Sequence, residues 1–410
     1  MGKRRIAMKK RVLFVDDESR ILLGLRRTLH SYRNEIEGDF AQSGEEALDA
    51  MAKAHYDVIV SDMQMPGMDG ARLLTQVMEE HPDTVRILLS GYQNQEMTLR
   101  AIGPAHQYLA KPSEPEVLHD TIIRACSLRD LLSDEALKSV VSGMPSLPSI
   151  PSVLLDLSEE LRSPDASVGR VGEIVSKDVG MSAKILQLVN SAFFGLRRHV
   201  ASPTEAASLL GLETIQALLM VTGVFSVFQV APSSKFSLSA LWNHCIIVGT
   251  LAKNISQWEG QGKRMVDASY LAGLLHDTGK LILATKRSAD YDGILSQAEI
   301  ESVPVWNAEK RTLGATHAEI GAYLLGLWGL EDLIIEAVAY HHRPSVSHSR
   351  DFSALTAVHI ADVMAREQEL IDNPTAVRPT LDDGYLEEAG IGPRMETLRE
   401  KCRSVTAEVS

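Results

Sequence analysis

At 410 residues the chain exceeds what one small hydrophobic core organises, and ordinary domain sizes predict two to three domains. Its 45% apolar and 23% charged residues exclude a disordered chain, and its formal charge of −13 excludes a broad nucleic-acid-binding face, which needs clustered Lys and Arg free of neighbouring acids. No apolar run approaches the roughly eighteen residues that read as a membrane span, and Cys126, Cys245 and Cys402 stand far apart without metal-ligand spacing, so a cytoplasmic protein with free thiols and no membrane insertion is expected.

In chain order, residues 1–10 read as a solvated basic arm: the opening MGKRRIAMKKR carries six basic side chains, and no apolar stretch of signal-peptide length follows it. Over 11–125, short apolar runs alternate with amphipathic stretches. VLFV (12–15), YDVIV (56–60), VRILLS (85–90) and HQYLA (106–110) read as buried parallel strands. SRILLGLRRTLH (19–30) and GEEALDAMAKA (44–54) repeat Leu, Ala and Met at helical spacing. The pattern predicts an α/β doubly wound domain. NEIEGDFAQS (34–43) is polar and becomes a strand only because the topology needs one there.

A helical pattern from about 115 to 142 runs without obvious interruption, so 126–143 is expected to be a linker helix. Its Leu128, Leu131, Leu132, Leu137 and Val140 suit either a homodimer contact or packing on the chain's own second domain. MPSLPSIPS (144–152) then places three prolines close together and marks a boundary. From 153 onward the chain is helical in period, so 144–400 is expected to be an all-α domain entered through that stiff connector, with 401–410 as a tail.

In open α/β sheets the ligand site lies beyond the carboxyl ends of the strands. The residues there are Asp16 and Asp17 after VLFV, Asp62 after YDVIVS, Ser90 after VRILL, and Lys111 after QYLA. Three carboxylates at one sheet edge repel each other unless a hard divalent cation such as Mg²⁺ joins them. A carboxylate flanked by Mg²⁺ and a lysine ammonium can attack a phosphoryl donor, which would leave an acyl phosphate on Asp62. VDDE, SDMQMPGMDG, LLSG and YLAKP together resemble the response-regulator receiver domain of two-component signalling. The resemblance implies that Asp62 is the phosphoacceptor, that Asp16, Asp17 and Asp62 hold Mg²⁺, and that Ser90 and Lys111 contact the phosphoryl oxygens while Tyr108 is the switching aromatic. It also implies a sensor histidine kinase or phosphotransfer protein as donor.

The second half sets polar residues into helices otherwise built of Leu, Ala, Ile and Val: His244, adjacent His276 and Asp277, His317, His341, His342 and Asp362. Unpaired, each would cost several kcal/mol, so one shared pocket is expected. Imidazole with carboxylate suits one or two ions of Fe, Mn or Zn, and Lys280, one helical turn past Asp277, is placed to grip a phosphate oxygen. The order resembles the HD superfamily of metal-dependent phosphohydrolases, and His317, His341 and His342 resemble the extra ligands of its bimetallic HD-GYP branch, although no Gly-Tyr-Pro follows HHRP. LPSIPSVLLDLSEE, VSKDVGMSAKILQLVNSAFFG, ASLLGLETIQALL, LWNHC and AYHHRP are similar to the HDOD domain, an HD-related output domain. That resemblance implies a signalling module that contacts a downstream signalling protein. The alternative is a receiver-regulated metal phosphohydrolase acting on a nucleotide or cyclic dinucleotide, and a metal that serves only as a clamp is compatible with the module.

Overall fold

The computed structural model describes residues 9–90, 104–129, 132, 134–144, 148–149, 151–163, 165–190, 199–220, 226–227, 235–372 and 377–409. The basic arm therefore lies almost wholly outside the described residues. The N-terminal half is a parallel five-stranded sheet in the order β2-β1-β3-β4-β5, with β1 at Lys10–Val15, β2 at Ile36–Ala41, β3 at Val58–Asp62, β4 at Val85–Ser90 and β5 at Gln107–Ala110. Helices α1 (Ser19–Leu29), α2 (Gly44–Lys53), α3 (Gly70–Glu80) and α4 (Pro115–Arg129) flank it. Alternation along β1 sends Val12 and Phe14 to one core and Leu13 and Val15 to another on the opposite face. The strand required by topology is β2, and its polarity has a simple cause: it is the edge strand, with Glu37 exposed between buried Ile36 and Ala41.

The expected linker helix over 126–143 is corrected. Helix α4 stops at Arg129, and a separate helix α5 spans Glu135–Ser142. Asp134 starts it by accepting a hydrogen bond from the Ala136 amide at 2.8 Å, the competition with a continuous helix that a capping aspartate offers. Leu132 and Leu137 are buried and Val140 packs against the same core, so this part of the stripe serves the chain itself rather than a second copy. The side chains of Leu128 and Leu131 lie outside the described residues.

The second half is helical, apart from two paired two-residue strands, β6 (Pro148–Ser149) and β7 (Ser226–Val227). Its helices are α6 (Pro151–Arg162), α7 (Val168–Ser176), α8 (Val179–Val189), α9 (Pro203–Met220), α10 (Leu238–Trp258), α11 (Lys263–Leu275), α12 (Thr278–Lys286), α13 (Ser288–Glu301), α14 (Val305–Leu313), α15 (His317–Leu327), α16 (Asp332–Tyr340), α17 (Ala354–Asp372), α18 (Asp383–Glu388) and α19 (Met395–Val409). Gly211, with φ 77° and ψ 163°, breaks α9 in a conformation that only glycine adopts readily. The expected tail at 401–410 is also corrected: α19 continues through it to Val409 and buries Cys402. No helix among the described residues is long and apolar enough to cross a membrane.

Two close helix crossings build the site. Helices α10 and α11 meet at Gly249 and Gly273, where a Cβ on Gly273 would stand 2.7 Å from Gly249 Cα. Helices α12 and α15 meet at Gly279, where a Cβ would stand 1.9 Å from the His317 carbonyl oxygen. The first crossing brings His244 to His276, and the second brings His317 to Asp277.

The two halves share one core. Leu109, Leu118 and Ile122 of the sheet domain belong to the same buried cluster as Leu325, Leu327 and Trp328. Fully buried Arg86, on β4, donates to the Ser142 carbonyl at 2.7 Å and to the Pro104 carbonyl at 2.6 Å, which ties α5 to the sheet.

Candidate functional site

At the carboxyl edge of the sheet, Asp16, Asp17 and Asp62 each offer an oxygen within 4.8 Å of the others. The Lys111 ammonium stands 2.6 Å from Asp16 Oδ2 and 2.7 Å from Asp62 Oδ1. Burial opposes that ammonium, but hydrogen bonds to Asp16 and Asp62 hold its pKa above the usual lysine value. Burial also raises Asp62, and Lys111 only partly offsets the shift. The Met63 amide donates to Asp62 Oδ1 at 2.8 Å and the Glu18 amide to Asp16 Oδ1 at 2.9 Å, so both carboxylates are aimed by backbone, whereas Asp17 is exposed. Tyr108 is buried among the residues of the second core cluster. Ser90 ends β4, and its side chain lies outside the described residues.

In the helical half the seven expected residues converge in two adjoining groups: His244, His276 and Asp362, then Asp277, His317, His341 and His342. The adjacent His276 and Asp277 occupy the corner between α11 and α12. Asp277 stands between the groups. Its Oδ1 is 3.0 Å from His317 Nε2 and 3.9 Å from His341 Nε2, and its Oδ2 is 3.4 Å from His276 Nε2 and 3.8 Å from His244 Nε2. Asp362 Oδ1 lies 3.0 Å from His244 Nε2 and 3.6 Å from His276 Nε2.

Four of the imidazoles are held by the far nitrogen. His244 Nδ1 meets Glu369 Oε1 at 2.8 Å, His276 Nδ1 the Gly273 carbonyl at 2.7 Å, His317 Nδ1 Glu309 Oε2 at 2.7 Å, and His341 Nδ1 the Val338 carbonyl at 2.8 Å. Each acceptor is placed to take a hydrogen bond from Nδ1, a tautomer in which Nε2 would present its lone pair inward, the arrangement that metal-ligating histidines share. Buried His276 Nε2 and Asp277 Oδ1 have no hydrogen-bond partner, and the 3.0 Å approach of His317 Nε2 to that oxygen lacks hydrogen-bond geometry. His342 Nε2 stands 3.0 Å from His317 Nε2 and 3.1 Å from His341 Nε2. Donor atoms bound to one ion at about 2.1 Å stand about 3 Å apart. These residues therefore fit metal, on the grounds of orphaned buried atoms and inward lone pairs.

The charges around the cluster are graded. Burial opposes the Asp277 carboxylate, but His276, Lys280 and His317 outweigh it and hold it well below the usual carboxylate range. Lys280 donates to Asp277 Oδ2 at 2.6 Å and also lines a cavity beside the cluster. Arg366 donates through Nε to Asp362 Oδ1 at 2.8 Å and approaches Asp277 Oδ2 at 3.6 Å. A cavity of about 380 Å³ opens onto the cluster, lined among others by Lys280, Trp306, His341, His342, Asp362 and Arg366. The Trp306 ring stacks on His342 with centroids 5.7 Å apart.

Sequence reasoning missed Glu309, Glu369 and Arg366. Arg366 follows Asp362 by one helical turn, a spacing that would have found it. Glu309 is fully buried yet sits in VWNAEKRTL among other polar residues, and nothing local marks which of them faces inward.

Residues 12–123 match the response regulator receiver domain, and residues 147–344 match the HDOD domain. An uncharacterized protein of Treponema pallidum is 30% identical over 207 residues, covering 50% of this chain and 39% of that protein. The hydrogenase transcriptional regulatory protein HoxA of Cupriavidus necator is 37% identical over 125 residues, which is 30% of this chain and 25% of HoxA. The chain thus spans well under half the length of these curated relatives. Among solved structures, the MmoQ response regulator of Methylococcus capsulatus is 21% identical with a TM-score of 0.47, over 62% of this chain and 98% of that one. The signal receiver domain of an HD domain-containing protein from Pseudomonas fluorescens is 30% identical with a TM-score of 0.27, over 28% of this chain and 92% of that one.

Proposed function

We propose that this chain, which belongs to the response regulators and joins a receiver domain to an HDOD domain, accepts a phosphoryl group on Asp62 and thereby switches a metal-bearing HDOD output domain that acts through protein contact. The observation that carries the reading is the Lys111 ammonium bridging Asp16 and Asp62 beside an exposed Asp17. Phosphoryl transfer needs little covalent assistance from protein, only positioning and positive charge on the equatorial oxygens, which Lys111 and a Mg²⁺ held by Asp16, Asp17 and Asp62 would supply. A histidine kinase or phosphotransfer protein is the donor. The added charge of roughly −1.5 to −2 sits between β3 and β5 and biases Tyr108 and Ser90.

In the HDOD half, His244, His276, Asp362 and Asp277 with His317, His341 and His342 would hold one or two transition-metal ions such as Fe, Mn or Zn. A second reading, a metal-dependent phosphohydrolase, is favoured by one specific feature: the cavity reaches the cluster and presents Lys280 and Arg366 beside it. Bound there, metal would polarise a phosphoester oxygen and supply an activated water at neutral pH. The chain's own part would be to orient the ester through Lys280 and Arg366 and to hold the imidazoles by their Nδ1 hydrogen bonds.

Incubation with acetyl phosphate and Mg²⁺ tests the first reading, and an acid-stable, base-labile label on Asp62 is expected; label retained in Asp62→Asn would overturn it. Elemental analysis of the purified chain is expected to find one or two transition-metal ions, and turnover of nucleotides or cyclic dinucleotides that is lost in His276→Ala would move the conclusion to the hydrolase.

A further inference from the structure

Helix α15 begins in the imidazole cluster and ends against the receiver domain. Its first residue, His317, presents Nε2 to Asp277 Oδ1 at 3.0 Å, and its first turn is pressed against α12 at Gly279, with no room for a Cβ on either side of the contact: one built on Gly321 would stand 2.7 Å from Thr278 Oγ1. Any slide or rotation of α15 therefore moves His317 relative to the residues that follow Asp277. At about 1.5 Å per residue the helix carries that contact roughly 16 Å to its other end.

That other end lies on the receiver. The Tyr323 hydroxyl is 2.7 Å from Ser142 Oγ, both buried. Gln107 Nε2, on β5, points at the Gly326 carbonyl at 3.4 Å, and just beyond the helix Arg124 of α4 donates to the Leu330 carbonyl and pairs with Asp332 at 2.7 Å. From α8, Gln187 Nε2 donates to the His106 carbonyl at 2.9 Å, immediately before β5.

One receiver element that reaches α15, strand β5, carries a switch residue. Gln107 adjoins Tyr108, and by strand alternation the two side chains leave opposite faces of β5: Tyr108 enters the core shared with Leu88, and Gln107 reaches α15. Strand β5 ends one residue before Lys111, and β4, whose Arg86 holds the Ser142 carbonyl, ends at Ser90.

Resting on the functional reading above, we infer that α15 couples the two sites, so that phosphorylation of Asp62 and metal binding at the His317 cluster change each other's free energy. A helix held by glycine-close packing at one end and by side-chain hydrogen bonds at the other transmits displacement because its contacts have discrete arrangements rather than soft ones. Linkage makes the effect reciprocal, and coupling between sites usually amounts to about 5–150-fold in affinity. The interdomain contact is thereby a positioning device for one metal ligand.

Cobalt(II) titration of the full chain, with Mg²⁺ saturating the receiver and visible absorption reporting the imidazole cluster, measures the coupling with and without beryllofluoride as the phosphoryl stand-in. The dissociation constant is expected to change at least about fivefold in the wild-type chain, and the ratio to fall to about one in a Tyr323→Phe, Gln107→Ala double variant that still takes up cobalt and beryllofluoride. Ser142→Ala, which leaves Tyr323 in place, serves should the double variant fail to fold. A ratio of one in the wild-type chain, or one unchanged in the variants, overturns the coupling while leaving both sites standing. A chain that takes no cobalt with or without beryllofluoride overturns the metal-bearing reading itself, and the coupling with it.

Discussion

The molecule concentrates carboxylates twice, and the two places neutralise them differently. In the receiver, a single lysine ammonium spans two of three carboxylates and the third, Asp17, faces solvent. In the HDOD half, Asp277 and Asp362 are buried and hemmed by imidazoles, with Lys280 and Arg366 within reach. The first arrangement leaves coordination positions to water and to an incoming phosphoryl group, and suits a hydrated hard cation that exchanges. The second provides nitrogen lone pairs already aimed by Glu309, Glu369 and two carbonyls, and suits a resident borderline metal. Open charge can be loaded and discharged, whereas enclosed charge has to stay balanced for the fold to persist.

The sharpest way to break that contrast is Asp277→Ala. The substitution removes the carboxylate between the two ligand groups and strips Lys280 of its partner in a buried setting. Breaking a buried pair from one side costs about 3–5 kcal/mol. Loss of transition metal to background by elemental analysis, together with a fall in stability of that order by urea unfolding, is the expected result. A stable variant that keeps its metal would mean that the cluster is an ordinary hydrogen-bonded core. Asp62→Asn is the counterpart in the open pocket: labelling by acetyl phosphate disappears, while metal content in the HDOD half stays at the wild-type level.

How far these two sites were legible in sequence follows from the same contrast. Asp16, Asp17 and Asp62 follow apolar runs that are unbroken because central parallel strands are buried on both faces, so each of those strand ends is marked and the site residue comes straight after it. Edge strand β2 lacked that mark, and Arg86 inside VRILLS was a signal left unread: a guanidinium in a buried strand needs acceptors, and here they include the Pro104 carbonyl of the same domain and the Ser142 carbonyl of α5. The candidate ligands of the helical half stood out as polar residues in apolar helices. Buried Glu309 did not, because amphipathic helices carry many acids and only tertiary packing decides which one turns inward, and Glu369 is an exposed acid that reaches His244 from the surface. The break before α5 was hidden for a similar reason, since Asp134 reads equally well as an exposed helical residue or as a cap.

Those unread acids give the next prediction. Glu309 holds His317 twice, accepting from its backbone amide at 2.8 Å and from Nδ1 at 2.7 Å, and Tyr291 donates to its other oxygen at 3.3 Å. Glu309→Gln keeps the shape but replaces a charged acceptor with an amide that can present its NH₂ to the ring. Outer-sphere partners of this type are worth about 10–100-fold in metal affinity. Competition with a chromophoric chelator is expected to show a loss in that range with stoichiometry kept, and no loss would remove Glu309 from the account of how the imidazole is aimed.

Asp17→Asn is the mildest change and the one that most directly compares open with enclosed charge. Asp17 is exposed, so its replacement leaves no buried group without a partner, and stability is expected to stay within about 0.5 kcal/mol by urea unfolding. On the proposed reading the carboxylate would supply one charged contact to Mg²⁺, and losing about 1.5 kcal/mol there corresponds to about tenfold in affinity. The Mg²⁺ concentration that half-saturates labelling of Asp62 should therefore rise by about that factor while the final extent of labelling is preserved. The same carboxylate-to-amide change at Asp362, inside the closed cluster, exposes the difference: there the amide leaves Arg366 and His244 facing an uncharged group, and stability and metal should fall together. Separable effects at Asp17 and inseparable ones at Asp362 are what an exchangeable site and a resident one require.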